Sequence, residues 1–536
     1  MQRMLRGLAA LLAAFALGAP AAMAEEGAPQ RGGTLRIYLS LTPASASIHE
    51  EASIATVMPF MGVFNNLFVY NQHGQRNDTA DLTPELATAW RWSEDSRRLT
   101  LTLRQGVAWH DGKPFTAADV KCTWDTVTGR RNAGWRKNPR REWYANLQAV
   151  ETNGDHEVSF QLERPQPSFM AFLASGFSPV YPCHVDSRVM RQKPIGTGPF
   201  RVVSFAANTG VELERNPHYW REGRPYLDAI SYRAVRSRAT RHLAFVSGEF
   251  DMTFTGDVSP ALLRDVQAQA PAARCEMRFT NVTGQILMNR EVAPFDNPLV
   301  RRAVALSVDR DAFLRILGEG HFVTGGAMLA PPAGLWGVTG QDLSEAGVDG
   351  YTGTVEQRRA EAQRLMREAG FGPQNPLRTK LITRDSPSYR DPAVILIDHM
   401  KSVFIEAELQ VLETSVWYNT LQRNSWGIAS NQSGTAIDDP DVFFYENYLC
   451  GSDRNYPRYC NRALQARFDE QSATTDPEAR RRMVREIDIQ LQRELARPIV
   501  FQSAGATCLH PQVRGITMAT NSQYNHWRME DAWLRR

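Results

Sequence analysis

The sequence is short of catalytic signatures. It has no G-x-S-x-G elbow, no H-E-x-x-H and no Walker A loop, the compact marks of a serine hydrolase, a zinc protease and a nucleotidase. Its six cysteines form no C-x-x-C and its histidines no H-x-x-x-H, so no metal-ligand spacing is present and no cofactor is expected. Charge of one sign is scarce: a formal +3 over 536 residues points away from nucleic acid or an acidic membrane as partner. Internal repeats and low-complexity linkers are lacking. No apolar run approaches the roughly 20 residues that cross a bilayer. An exported hydrolase with a dispersed site is the enzyme alternative, but nothing gathers the 11 histidines and scattered carboxylates into one place.

What is present begins with a targeting segment. Arg3 and Arg6 precede a short apolar stretch, 8–17, and Ala22-Met23-Ala24 is an A-x-A cleavage site. Cleavage before Glu25 lowers the formal charge from +3 to +1. No cysteine follows the site, so a lipid anchor is not expected and the mature chain should be exported to the periplasm. The remaining length is enough for two or three domain cores.

Residues 99–127 organise the reading. Leu99, Leu101 and Leu103 alternate with Thr100, Thr102 and Arg104, the period of a half-buried strand. His110-Asp111-Gly112 turns the chain. Thr116 and Asp119 then mark a helix start, with Val120, Trp124 and Val127 on one face. The letters W-H-D-G-K-P-F-T-A-A-D-V at 109–120, with Trp90-x-Trp92-Ser93-Glu94-Asp95 before them, closely resemble the signature of the family 5 solute-binding proteins, receptors of dipeptide, oligopeptide and nickel ABC importers. Trp109 replaces the usual Phe. Four further stretches resemble the same family: Gly33-Thr34-Leu35-Arg36, Pro194-Ile195-Gly196-Thr197-Gly198-Pro199-Phe200, Arg215-Asn216-Pro217-His218-Tyr219-Trp220 and the 244–251 run AFVSGEFD. Glycines at 196 and 198 permit a tight backbone path that side chains would block. A phosphate cradle is the rival reading, but no Lys-Ser/Thr follows to complete it.

The resemblance implies an α/β, two-lobed periplasmic binding protein fold (class II-like, cluster C), with a small subdomain inserted in lobe I and a two-crossing hinge. Its implied boundaries are 1–24 signal peptide, 25–70 lobe I, 71–193 inserted subdomain, 194–280 lobe I, 281–505 lobe II and 506–536 lobe I again. The crossings fall near Asn281 and Ala506. Helix caps support this layout: Asn297 before Pro298, Asp309, the Thr354/Gln357 capping box and Asp476 before Pro477. Strand 377–383, helix 393–406 and strand 409–412 give the β-α-β rhythm of an α/β lobe. The basic stretch 130–141 reads as a solvated loop, with transporter docking or an anionic ligand as the alternative.

In an exported chain six cysteines permit disulfides. Cys450 and Cys460 bracket the nine-residue loop GSDRNYPRY, whose closure should stabilise by roughly 2–4 kcal/mol, and the family often has a disulfide in this region. Cys122, Cys183, Cys275 and Cys508 can pair in three ways, which sequence does not resolve. Pairs 122–183 and 275–508 are preferred, because each would then sit within one lobe or beside the crossover.

The resemblance further implies a periplasmic component of an ABC importer. It would be a monomer that encloses a peptide or peptide-like solute between lobes and delivers it to an inner-membrane permease with separate ATPase subunits. An opine, oligosaccharide, glutathione or nickel chelate is the alternative solute, and a signalling role fits the same fold. Dipeptide-binding relatives carry a carboxylate-binding arginine near Arg384, and a guanidinium suits that grip. They hold the ammonium with an Asp four residues before a Pro. That position is Ala436 here, leaving Asp438, with Asp439 beside it, as the candidate; alternatively the acidic pair only caps the next helix. Trp417, Tyr418 and Trp426 are candidate pocket aromatics, although core packing is their commoner fate. Asn65 and Tyr70 are candidates from the first lobe.

Overall fold

The computed structural model describes residues 27–536 other than Ser522, so the expected signal peptide lies outside the described residues. Two main hydrophobic cores divide the chain. One draws on residues from Leu35 to Val266 and again from Ala506 to Ala532, with Ala436, Ile437 and Val442 packed into it; the other runs from Ile286 to Phe501. Two lobes follow from that division.

In the first lobe, strands Thr34–Leu39, Ala229–Ala234, Gly210–Arg215 and Phe200–Ala206 form one sheet, Thr34–Leu39 parallel to Ala229–Ala234. Leu35, Ile37 and Leu39 are buried, as their alternation predicts. A second, antiparallel sheet orders Ala87–Trp92, Arg98–Leu103, Glu157–Leu162 and Leu147–Thr152. Helix Ala117–Val127 starts where expected: Asp119 Oδ2 accepts from the Thr116 backbone N–H at 3.0 Å. Asp119 also accepts from Trp109 Nε1 and from the Cys183 N–H, so one carboxylate ties strand end, helix start and a distant loop.

The second lobe is built on a five-stranded sheet in the order Ile405–Leu412, Leu377–Arg384, Ile428–Gly434, Arg274–Met288, Ile499–Leu509. The first three strands are parallel, with helices Pro387–Lys401 and Thr414–Gln422 between them in sequence. Arg274–Met288 and Ile499–Leu509 are antiparallel, and Ile499–Leu509 also bridges to first-lobe residues, Leu509 to Met252 and Ala506 to Val258. Their ladder breaks between Phe279 and Thr283, where Asn281 has φ 56°.

Helix Pro387–Lys401 begins and ends earlier than the 393–406 expected. Pro387 occupies the first turn, where its missing N–H costs nothing. Pro392 lies inside the helix and cannot donate to the Ser388 carbonyl; the Gln432 side chain donates to that carbonyl instead. Phe404, at φ 65°, then turns the chain into the next strand. The other caps form as read, including both halves of the Thr354/Gln357 box. All six cysteines pair: Cys122–Cys183, Cys275–Cys508 and Cys450–Cys460. Cys275 faces Cys508 directly across the strand pair. Among the described residues no helix is long and apolar enough to cross a membrane.

Candidate functional site

Arg384 ends a parallel strand of the second lobe and is 7% exposed. Its guanidinium donates to the Tyr389 hydroxyl at 2.7 Å and to Thr414 Oγ1 at 3.1 and 3.3 Å. It lies over the Tyr389 ring at 4.4 Å and the Tyr418 ring at 5.5 Å. Among the described residues it has no carboxylate partner. Burial disfavours its charge, yet the surrounding phenols, Tyr389, Tyr418, Tyr524 and Tyr456, shift it the other way and leave its pKa raised. A buried guanidinium with only neutral oxygens around it has the chemistry to accept an anion.

Tyr524 brings the other lobe to this place. Its ring lies tilted against Phe177, centroids 5.3 Å apart, and burial pushes its hydroxyl up, with Tyr389 and Glu446 contributing. Gly434 allows the approach: a Cβ there would lie 3.2 Å from the Tyr524 hydroxyl. Arg140, from the basic stretch, is also buried at the seam. Its guanidinium covers the Phe177 ring at 3.7 Å and reaches Glu446 at 3.8 Å. Arg454 pairs with the same Glu446, and Arg497 donates to the Arg454 carbonyl and to Asn447 Oδ1. Sequence reasoning singled out none of Tyr389, Thr414, Glu446, Arg454, Arg497 or Tyr524. The one available signal was the basic run at 130–141, which reads as solvated except that Arg140 turns inward.

Asp438 and Asp439 behave differently. Asp439 caps helix Pro440–Asn447 through the Asp441 N–H and forms a bidentate pair with Arg480 at 2.8 and 2.9 Å. Burial raises its pKa to about 6 against the pull of Arg480. Among the described residues Asp438 has no cation partner. Its Oδ2 accepts from the Leu335 N–H at 2.9 Å and Asn521 Nδ2 at 3.0 Å, while buried Oδ1 has no partner. Burial, with Asp439 adding repulsion, pushes its carboxyl up to about 7. Tyr70 is close enough to feel both carboxylates, and its own buried hydroxyl is also unpartnered.

The remaining candidates lie elsewhere. Asn65 spends its amide inside the first lobe, donating to Glu85 at 2.5 Å and accepting from Thr197 and Trp220. Trp417 and Trp426 are buried in a small second-lobe core with Leu287, Ile382 and Ala429. Trp417 nevertheless backs Tyr418 and Tyr456, with ring centroids 5.1 and 6.3 Å away. The structure thus brings Arg384 and Tyr418 together, sets Asp438 and Tyr70 at a second interlobe spot, and leaves Asn65 and Trp426 apart. The glycine loop 194–200 is a backbone docking: a Cβ on Gly196 would sit 1.9 Å from the Val63 carbonyl oxygen. His110 of the organising stretch seats on it, its N–H donating to the Gly196 carbonyl at 2.9 Å. An open groove of about 400 Å³ between Arg76, Asp78, Arg278 and Pro332 shares no residue with the arginine cluster. Among the described residues no group of three or more His, Cys, Asp or Glu could hold a metal ion.

Residues 81–455 match the model described as bacterial extracellular solute-binding proteins, family 5 middle. The chain is 26% identical over 505 residues to probable di/tripeptide-binding protein 5 of Pseudomonas aeruginosa, covering 88% of this chain and 90% of that one. The crystal structure of Haemophilus influenzae OppA in complex with RPPGFSPFR matches at TM-score 0.81 and 20% identity, over 94% of this chain and 99% of that one. The A. tumefaciens R10 binding protein AgaA, in complex with agropinic acid, matches at TM-score 0.80 and 20% identity, over 94% and 99%. The fold is therefore that of the two-lobed periplasmic binding proteins.

Proposed function

Because this chain belongs to the family 5 bacterial extracellular solute-binding proteins, we propose that it captures a peptide or peptide-like solute between its lobes and releases it to an inner-membrane permease driven by separate ATPase subunits. Open lobes admit the solute, and hinge closure about the paired strands Arg274–Met288 and Ile499–Leu509 buries it. The chain acts as a periplasmic monomer after loss of residues 1–24, and it binds without catalysing a reaction. The observation that carries this reading is Arg384: a buried guanidinium at the seam, faced by tyrosines of both lobes and, among the described residues, without a carboxylate partner. It is built to take a carboxylate from solution. Asp438, with one unpartnered oxygen, is the second contact, for an amine or a hydroxyl.

A non-peptide reading has its own support. Ala436 stands where dipeptide-binding relatives place the ammonium-binding acid, and AgaA shares the fold with an opine-type ligand. Native mass spectrometry of the protein from its own periplasm separates the two. A set of short-peptide masses is expected; one discrete non-peptide mass would replace the peptide by the alternative solute.

A further inference from the structure

Four guanidiniums converge on the seam described above: Arg140 from the first lobe, and Arg384, Arg454 and Arg497 from the second. Among the described residues their ion pairs run to one carboxylate, Glu446, which Arg140 and Arg454 share. Arg384 and Arg497 have none. Their other partners are neutral oxygens: the Tyr389 hydroxyl, Thr414 Oγ1, Asn447 Oδ1, Gln285 Oε1 and the Arg454 carbonyl. The Nε atoms of Arg140 and Arg497 are buried without a partner among the described residues.

Ring faces soften this imbalance without removing it. Arg497 lies 5.7 Å from both the Tyr448 and Tyr456 rings, and Arg140 covers Phe177. Burial draws Arg140 and Arg497 down to about 10, so all four groups still carry their charge at neutral pH. Uncompensated buried charge opposes closure of the lobes. A single terminal carboxylate on Arg384 would leave the excess around Arg140 and Arg497 in place. At the other interlobe spot burial holds the Asp438 carboxyl partly protonated near neutral pH.

We propose that the solute is multiply anionic: a peptide-like or opine-like molecule with at least two acidic groups and a net negative charge, whose entry supplies the counter-charge missing from the Arg140, Arg384, Arg454 and Arg497 cluster. This rests on the receptor reading above and specifies its substrate class. Closure is then coupled to ligand charge, since the anion bridges guanidiniums of both lobes.

Calorimetric titration of the purified protein with Ala-Glu-Glu, Ala-Gln-Gln, Ala-Lys-Lys and N-(1-carboxyethyl)glutamate tests it. The acidic tripeptide should bind about 10- to 100-fold more tightly than its glutamine counterpart, the range of charge-assisted hydrogen bonds, with the lysine peptide weakest. Arg140→Gln should shrink the glutamate-to-glutamine ratio; the ranking on the unaltered protein stands by itself if that variant folds poorly. Binding of the carboxyethyl compound without any tripeptide would support the charge inference and overturn the peptide reading. Equal affinity for the glutamate and glutamine peptides, or no binding by either acidic compound, would overturn the charge inference.

Discussion

Two buried charge clusters between the lobes are finished to different degrees. In the first, Asp439 and Asp441 meet Arg480, and every carboxylate oxygen has a donor: Arg480 and the Asp441 N–H for Asp439; Arg480, Gln471, Ser168, Gln166 and Ser472 for Asp441. The Asp441 carboxyl is held below its ordinary value, Arg480 and the three hydroxyl and amide donors outweighing its burial. In the second, Arg140 and Arg454 share Glu446, and among the described residues Arg384 and Arg497 have no carboxylate. A closed network holds structure together, whereas an unbalanced one stores a demand for a ligand. Ser168 and Gln166 belong to the first lobe, so the closed network also latches the lobes to one another.

The largest effect should come from breaking the closed network. Arg480→Met leaves two buried carboxylates without their cation, and chemical denaturation should register a loss of about 3–5 kcal/mol. Unchanged stability would remove the distinction between the clusters. Next is the Cys450–Cys460 bridge, which pins the loop carrying Arg454 and Tyr456 into the open cluster. Replacing both cysteines by serine should cost about 2–4 kcal/mol of stability and also weaken solute binding. Intact affinity would detach that loop from the site.

Arg384→Ala sharpens the contrast from the other side. It should weaken solute binding by about 1.5–3 kcal/mol while the unliganded protein keeps its stability, because no protein ion pair is lost. A large stability loss with unchanged affinity would reverse its assignment. The smallest effect is a pH dependence. Asp438 in the folded state titrates near 7, above the ordinary carboxylate range, so the native state binds the extra proton between about pH 4 and 7. Its contribution is fully present below that window and fades as pH rises through it, by at most about 1.4 kcal/mol per unit. Asp439 and Asp488, raised to about 6 by burial, act in the same direction. The difference between wild type and Asp438→Asn isolates the one residue; parallel stability curves would mean that its carboxyl is charged in the folded protein.

Local signals in the sequence translated well. Thr354 with Gln357, Thr116 with Asp119, and Asn297 before Pro298 satisfy free N–H groups within three residues of themselves, so their meaning is contained in a few letters. Gly196 and Gly198 likewise announce a close backbone approach, although the partner, Val63, is 130 residues away in the chain. Helix Pro387–Lys401 runs through Pro392, and the carbonyl that this proline strands is satisfied by Gln432 from a different strand, a partner no local pattern announces. The arginine cluster was illegible for the same reason. Arg140, Arg384, Arg454, Arg497 and Tyr524 come from five separate segments, and only tertiary packing shows that four cations meet one acid. Arg384 alone is visible in the sequence, through the resemblance to dipeptide-binding relatives that carry a carboxylate-binding arginine near this place.

The most direct test of the account is occupancy of the seam by a solute held on Arg384. Wild type and Arg384→Gln should be purified in parallel from the same periplasm and measured by native mass spectrometry under identical conditions. The account predicts a bound solute on the wild type that is lost or strongly depleted in the variant, with both proteins folded. The same solute mass at the same occupancy in Arg384→Gln would contradict it.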